Sequence, residues 1–189
     1  KAPDFWQPQM RSRPRLITNN QTVTNDALEI IGEMLRFTQG GRFYSGLEQL
    51  KTFCQPQTLA AFAWDLFTAW QQAGAPAKDN WTFLALSLFG DESTARDLTT
   101  QILAWPQEGK SARAVSGLNI LTLMNNDMAL IQLHHISQRA KSSSLRENAA
   151  EFLQVVAENR GLSQEELADR LVPTLGLDDP QALIFDFGP

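Results

Sequence analysis

The sequence predicts an all-α fold: a short right-handed superhelical stack of HEAT-like helix pairs, an α-solenoid. Three observations carry that prediction. Apolar residues recur at helical rather than alternating spacing along most of the chain. Candidate helix starts at Gln55, Asp91, Asp127 and Ser163 follow one another at intervals of 36 residues. The fourth position after each start is apolar: Leu59, Ala95, Ile131 and Leu167. A repeating helix pair of mid-thirties length marks a solenoid, in which each pair buries its face only against its neighbours.

The elements follow in order. Residues 1–24 form an irregular lead-in, because Pro3, Pro8 and Pro14 interrupt helix formation and Asn19-Asn20 reads as a turn. Leu16-Ile17 against Thr22-Val23 carries too little apolar content to specify a hairpin. From Thr24 the period changes, and Ala27, Ile30, Ile31, Met34 and Leu35 share one helix face that stops at Gly40-Gly41. A short helix covers Gly46 to Phe53. The strongest stripe comes next: Leu59, Phe62, Ala63, Leu66, Phe67 and Trp70, with Pro56 in the first turn and Gly74-Ala75-Pro76 as the stop. Trp81 to Phe89 is apolar nearly all round and should be buried. Asp91 caps a helix with Ala95, Leu98, Ile102 and Trp105 inward, ended by Pro106.

Ala112 to Met124 is again rich in buried residue types. Asn126-Asp127 caps a helix whose inner face is Ala129, Leu133, Ile136 and Ala140. Ser144 with Glu147, and Ser163 with Glu166, read as capping boxes. The first opens a helix with Leu145, Ala149, Phe152, Leu153 and Val156 on one face, and the second a helix with Leu167 and Leu171 inward. Pro173 ends that helix at Val172. Leu183, Phe185 and Phe187 then alternate as a short strand. The division expected is therefore a lead-in over 1–24, a helical repeat domain over 25–178, and the truncated start of a following domain over 179–189.

Composition bounds the function. A chain of 189 residues with 43% hydrophobic and 20% charged residues is a globular domain, not a disordered segment. Cys54 is the only cysteine, which excludes an intramolecular disulfide and a Cys-rich zinc site. The net charge of −5 speaks against a generic nucleic-acid-coating domain. No apolar run approaches the ~20 residues needed to span a bilayer, and no signal peptide opens the chain, so a cytoplasmic location is expected. The chain opens on Lys1 and closes on Pro189 directly after an apolar run, as a piece of a longer polypeptide would.

Several separated segments carry a resemblance. They include Phe62-Ala63-Trp64-Asp65-Leu66-Phe67, Gly74-Ala75-Pro76 with Lys78-Asp79 and Trp81, Trp105-Pro106, and Arg113-Ala114-Val115 with Gly117-Leu118. Glu166-Leu167-Ala168-Asp169-Arg170-Leu171-Val172-Pro173, Gly176-Leu177-Asp178 and Asp186-Phe187-Gly188-Pro189 complete the set. Together they resemble the large bacterial MolR-type proteins, molybdate metabolism regulators that often carry a WGR domain. The resemblance covers nearly the whole chain and implies a helical region leading into a C-terminal domain of unknown function. It implies a place in a regulatory protein and brings no catalytic motif with it.

Candidate site residues are few. His134 and His135 are adjacent on a helix, so they diverge by about 100° and do not converge on one metal ion. Cys54 beside Phe53 reads as a buried thiol. The carboxylate pairs Asp91-Glu92, Glu165-Glu166 and Asp178-Asp179 sit at helix starts or in loops, where they complement the helix dipole. Trp64 lies about 140° off the apolar stripe of its helix, where a neighbouring helix of a solenoid would cover it. Arg11, Arg13 and Arg15 alternate around Pro14, so an extended chain aims all three to one side. The negative overall charge favours their pairing within the chain or their solvation.

The expectation is a non-enzymatic scaffold or protein-interaction module without metal or cofactor, contacting neighbouring domains of its own polypeptide or a protein partner and no membrane. The alternative is a nucleic-acid-contacting regulatory module anchored by Arg11, Arg13 and Arg15.

Overall fold

Six of the nine described helices begin where a side chain or a proline replaces a missing backbone partner. The computed structural model describes residues 3–7, 12–37 and 43–171. α1 (Asn25–Arg36) is capped by Thr24, whose hydroxyl accepts from the Ala27 amide. α2 (Ser45–Phe53) is followed closely by α3 (Pro56–Gln72), where Pro56 at the first turn has no N–H to leave orphaned. A 3-10 turn at Ala77–Asp79 leads into α4 (Trp81–Phe89). α5 (Glu92–Ala104) opens on a reciprocal box: the Asp91 carboxylate takes the Thr94 amide, and the Thr94 hydroxyl takes the Asp91 amide. The 3-10 turn Trp105–Glu108 leads to α6 (Ser111–Met124). α7 (Asp127–Arg139) is capped by Asn126, α8 (Ser143–Asn159) by Ser142, and α9 (Gln164–Leu171) by the Ser163–Glu166 box. Among the described residues the fold is all-α, with nine helices and only isolated bridges of strand type.

The helices pack largely in chain order. α4, α6 and α8 lie side by side, as do α5, α7 and α9. Each helix of the second set also packs on its successor, α5 on α6 and α7 on α8, while α3 packs on α4. The Gln71 side-chain amide donates to Gln101 Oε1 at 2.8 Å and ties α3 to α5. The core is densest where α3 meets α4. Phe67 stacks on Phe83 with ring centroids 4.9 Å apart, and Trp70 and Trp105 close around the pair. Between α5 and α6, Gly117 accepts Ile102 so closely that a Cβ there would lie 2.5 Å from its side chain.

Four sequence expectations need correction. The buried face of α1 is Leu28, Ile31, Gly32 and Leu35, and Ile30 is 52% exposed. Two stripes sharing Ile31 compete on this helix. The one through Gly32 wins because the Trp6 ring packs where a Cβ would stand, 2.5 Å from it. The cap of α8 is Ser142, whose hydroxyl accepts from the Leu145 amide, and the Ser144–Glu147 box does not form. The chain already leaves its extended conformation at Ser142, and Arg146 reaches back to the Ala140 carbonyl at 2.7 Å. Phe152 is half-buried rather than core. Finally, the caps at 55, 91, 126 and 163 are 36, 35 and 37 residues apart, not uniformly 36. The Asn126 cap moves the buried position of α7 from Ile131 to Leu130. The helix stops expected at Gly40-Gly41 and Pro173, the strand at 183–187 and the domain start at 179–189 lie outside the described residues.

The lead-in is tied into the fold more firmly than its composition suggested. Trp6 is 7% exposed, contacts Phe62 and Trp81 edge-on, and donates its indole N–H to Glu29 at 3.0 Å. Around Asn19-Asn20 the chain doubles back so that Arg15 bridges Thr22, while Leu16 bridges Cys54 on its other side. Ile17 donates to the Phe53 carbonyl and Gln55 donates to that of Arg15. Residues 15–17 therefore sit between two backbone partners.

At the far end, one carboxylate joins three helices. Asp127 Oδ1 receives Arg160 from the end of α8 at 2.8 Å and Arg170 from α9 at 3.0 Å. The hydrogen bond from Arg160 holds the Asp127 carboxyl below the usual range, partial burial opposes it, and the charges of Arg160 and Arg170 add to the lowering.

Two expectations follow from this packing. Leu66 is fully buried, so Leu66→Ala lowers stability by about 2–5 kcal/mol, whereas Ile30→Ala stays within about 0.5 kcal/mol, read by urea unfolding. The Asp127 contribution is present above the unfolded carboxylate pKa of about 3.9 and is lost as pH falls through the lower folded value. Melting temperatures of the parent chain and Asp127→Asn should therefore differ at pH 7 and converge below about pH 3.

Candidate functional site

The arginine segment is placed by backbone pairing rather than by its own side chains. Because Arg15 is held between Thr22 and the start of α3, its amide donates to Thr58 Oγ1 at 2.9 Å. Three residues earlier, the Ser12 amide donates to Asp65 Oδ2 at 2.7 Å. The segment thus lies along the first three turns of α3. Between them runs a groove of about 470 Å³ bordered by Ser12, Arg13, Arg15, Gln57 and Thr58. Arg13 and Arg15 share this groove, as alternation in an extended chain requires. Arg11 lies outside the described residues.

The guanidinium groups are oriented by neutral oxygens. Arg13 donates to the Asn25 side-chain carbonyl and the Val23 carbonyl, and Arg15 donates to the Asn20 carbonyl at 3.3 Å. Among the described residues neither forms an ion pair; the five that do form involve Glu48, Glu92, Glu108 and Asp127. The overall charge favours pairing within the chain or solvation for this cluster, and of these the described Arg13 and Arg15 show no ion pair. Both are held in place by neutral oxygens, with no carboxylate in ion-pair contact among the described residues. No acidic residue occupies the first turn of α3 to offset them.

The remaining sequence candidates are separated from this groove or consumed by the fold. His134 is half-buried and His135 exposed on α7. Cys54 is 1% exposed, and burial pushes its thiol up, away from the reactive thiolate. At Asp91, partial burial is outweighed by hydrogen bonds from Thr94 and Ser93, which hold the carboxyl below its usual value as a cap. Exposed Glu166 is held low by the Ser163 amide and hydroxyl. Asp178 and Asp179 lie outside the described residues. No group of three or more His, Cys, Asp or Glu side chains converges among the described residues.

Trp64 is the residue that sequence reasoning placed but did not connect. It is half-buried, with its ring 5.5 Å from Phe67, and it borders a second groove that also touches Gln57 and Ala61. Gln57, Ala61 and Trp64 fall at i, i+4 and i+7, one face of α3, a relation already present in the sequence. What periodicity lacked was the docking of residues 12–22 against that face, which depends on hydrogen bonds from main-chain atoms.

A comparison with known proteins extends this picture in length only. No protein-family profile matches the chain, and no solved structure matches it. The relative named "Uncharacterized protein YehI", from Escherichia coli (strain K12), is 96% identical over 189 residues, which are 100% of this chain and 16% of that protein. The chain thus spans less than a fifth of the length of the curated relative it matches.

Proposed function

We propose that the chain is a HEAT-like helical-repeat module that acts without catalysis, as a scaffold or protein-interaction segment of a larger, MolR-like regulatory protein in the cytoplasm. The observation that carries this reading is the packing order. Two sets of helices, α4–α6–α8 and α5–α7–α9, each run side by side in sequence, and α5 rests on α6 and α7 rather than chiefly on α9. That is the arrangement a stack of helix pairs adopts and a closed bundle does not. The near-regular caps at 55, 91, 126 and 163 support the same architecture.

A role within a larger protein is supported by the relative of which this segment matches 16%. Stacked helix pairs present extended surfaces along both rows, and such surfaces dock neighbouring domains or partner proteins. No described helix is long and apolar enough to cross a membrane. The MolR-type resemblance supports a role in a larger regulatory polypeptide.

The test is reassembly. The chain and the remainder of the longer polypeptide, expressed separately and mixed, should co-elute as a one-to-one complex by size-exclusion chromatography with light scattering. Hydrogen exchange should slow along one helix row on mixing. Failure of the two pieces to associate at micromolar concentration would sink the scaffold reading.

A further inference from the structure

The two grooves on α3 together point to a ligand with both anionic groups and flat rings. One side of the Gln57–Ala61 face carries Arg13 and Arg15, fixed by neutral oxygens and free of carboxylate partners among the described residues. The other side carries Trp64, half-buried with its ring against Phe67 and bordering the second groove. Between them stands Ala61, exposed, with nothing beyond its Cβ to obstruct passage across the helix. The Trp64 groove runs between α3 and the start of α5, where Asp91, Ser93, Thr94 and Asp97 form its other wall.

We propose that this face binds single-stranded nucleic acid, with phosphates on Arg13 and Arg15 and a base stacked on Trp64. The chemistry matches term by term. A guanidinium pairs with phosphate oxygens through its planar fork. An aromatic face stacks on any base, so the combination favours strands without demanding a sequence. Alternate residues of an extended segment stand about 6.6 Å apart, comparable to successive phosphates along a strand. From Thr58, which holds Arg15, to Trp64 is six helical residues, or about 9 Å of rise. That span exceeds one nucleotide and suits a strand more than a free mononucleotide. Duplex DNA keeps its bases stacked and cannot offer one to Trp64. The carboxylates of Asp91 and Asp97 border the Trp64 groove, which favours phosphates at the arginine end and leaves acceptors for amino groups on base edges.

Fluorescence anisotropy of the whole chain with a labelled mixed-sequence DNA single strand of about ten nucleotides, titrated at several salt concentrations, tests the proposal. The parent chain should bind the strand more tightly than the corresponding duplex. The double substitution Arg13→Gln with Arg15→Gln should weaken binding at least about tenfold and flatten the salt slope by about 1.4, two contacts at roughly 0.7 each. Trp64→Leu should weaken binding about tenfold with the slope unchanged, and Trp64→Phe should restore most of it. Because Arg13 also ties down Asn25, Arg15→Gln alone is the variant of record if the double one melts early, with a slope change of about 0.7. Strand binding that survives loss of the arginines overturns the site. So does equal binding of duplex, or displacement of the strand by equimolar inorganic phosphate, which would make it a free-phosphate pocket. Absence of binding at low salt overturns it outright.

Discussion

α4 has almost no face it can leave in water. From Trp81 to Phe89 only Leu84 and Ser87 escape full burial, so the helix must be enclosed by neighbours on several sides. α3 encloses it on one side, α6 on another, and α1 reaches it as well. A helix with a single apolar stripe can end an assembly, but a helix like α4 obliges the chain to continue on both sides of it. The aromatic group of Phe67, Trp70, Phe83 and Trp105 is the outcome: rings from α3, α4 and the Trp105–Glu108 turn held edge-on, tilted or stacked in one place. The rest of the helices extend from that enclosure, each supplying the cover its predecessor lacks.

How much of this was legible follows from the range over which each force acts. The α3 stripe from Leu59 to Trp70 and the inner face of α7 were visible because helical periodicity and burial coincide there. Caps were visible where a capping residue directly follows the end of an apolar run, as Asp91 follows Phe89-Gly90. Where three serines compete at 142–144, the choice fell to the one where the backbone is extended and Arg146 can anchor the preceding carbonyls. α1 was misassigned by one rotation because its inward face is set by Trp6, a residue more than twenty positions away. Single-helix periodicity carries no trace of that contact. The same holds for the candidate site. Arginine alternation was legible, but its docking on α3 rests on main-chain donors that every residue except proline possesses.

Charge distribution separates the two ends of the molecule. Near α7, α8 and α9, one carboxylate gathers two arginines and closes a joint between helices. Near the lead-in, two arginines are aimed by carbonyl and amide oxygens and form no ion pair among the described residues. The first arrangement uses charge to join elements. The second spends hydrogen bonds to hold charge at the surface, and surface charge held in one geometry is the condition under which an ionic contact with a ligand costs little ordering.

The bridge between Leu16 and Cys54 closes a loop of the chain that contains all of α1 and α2. The arginine groove has one wall on each side of that closure: the segment around Arg13 and Arg15 before the loop, and the first turns of α3 after it. Opening the loop at this single register would leave every helix cap intact and still dissolve the groove. The surface is thus a property of ring closure rather than of any one element, and its lifetime is set by how often residues 15–17 let go of residues 53–55.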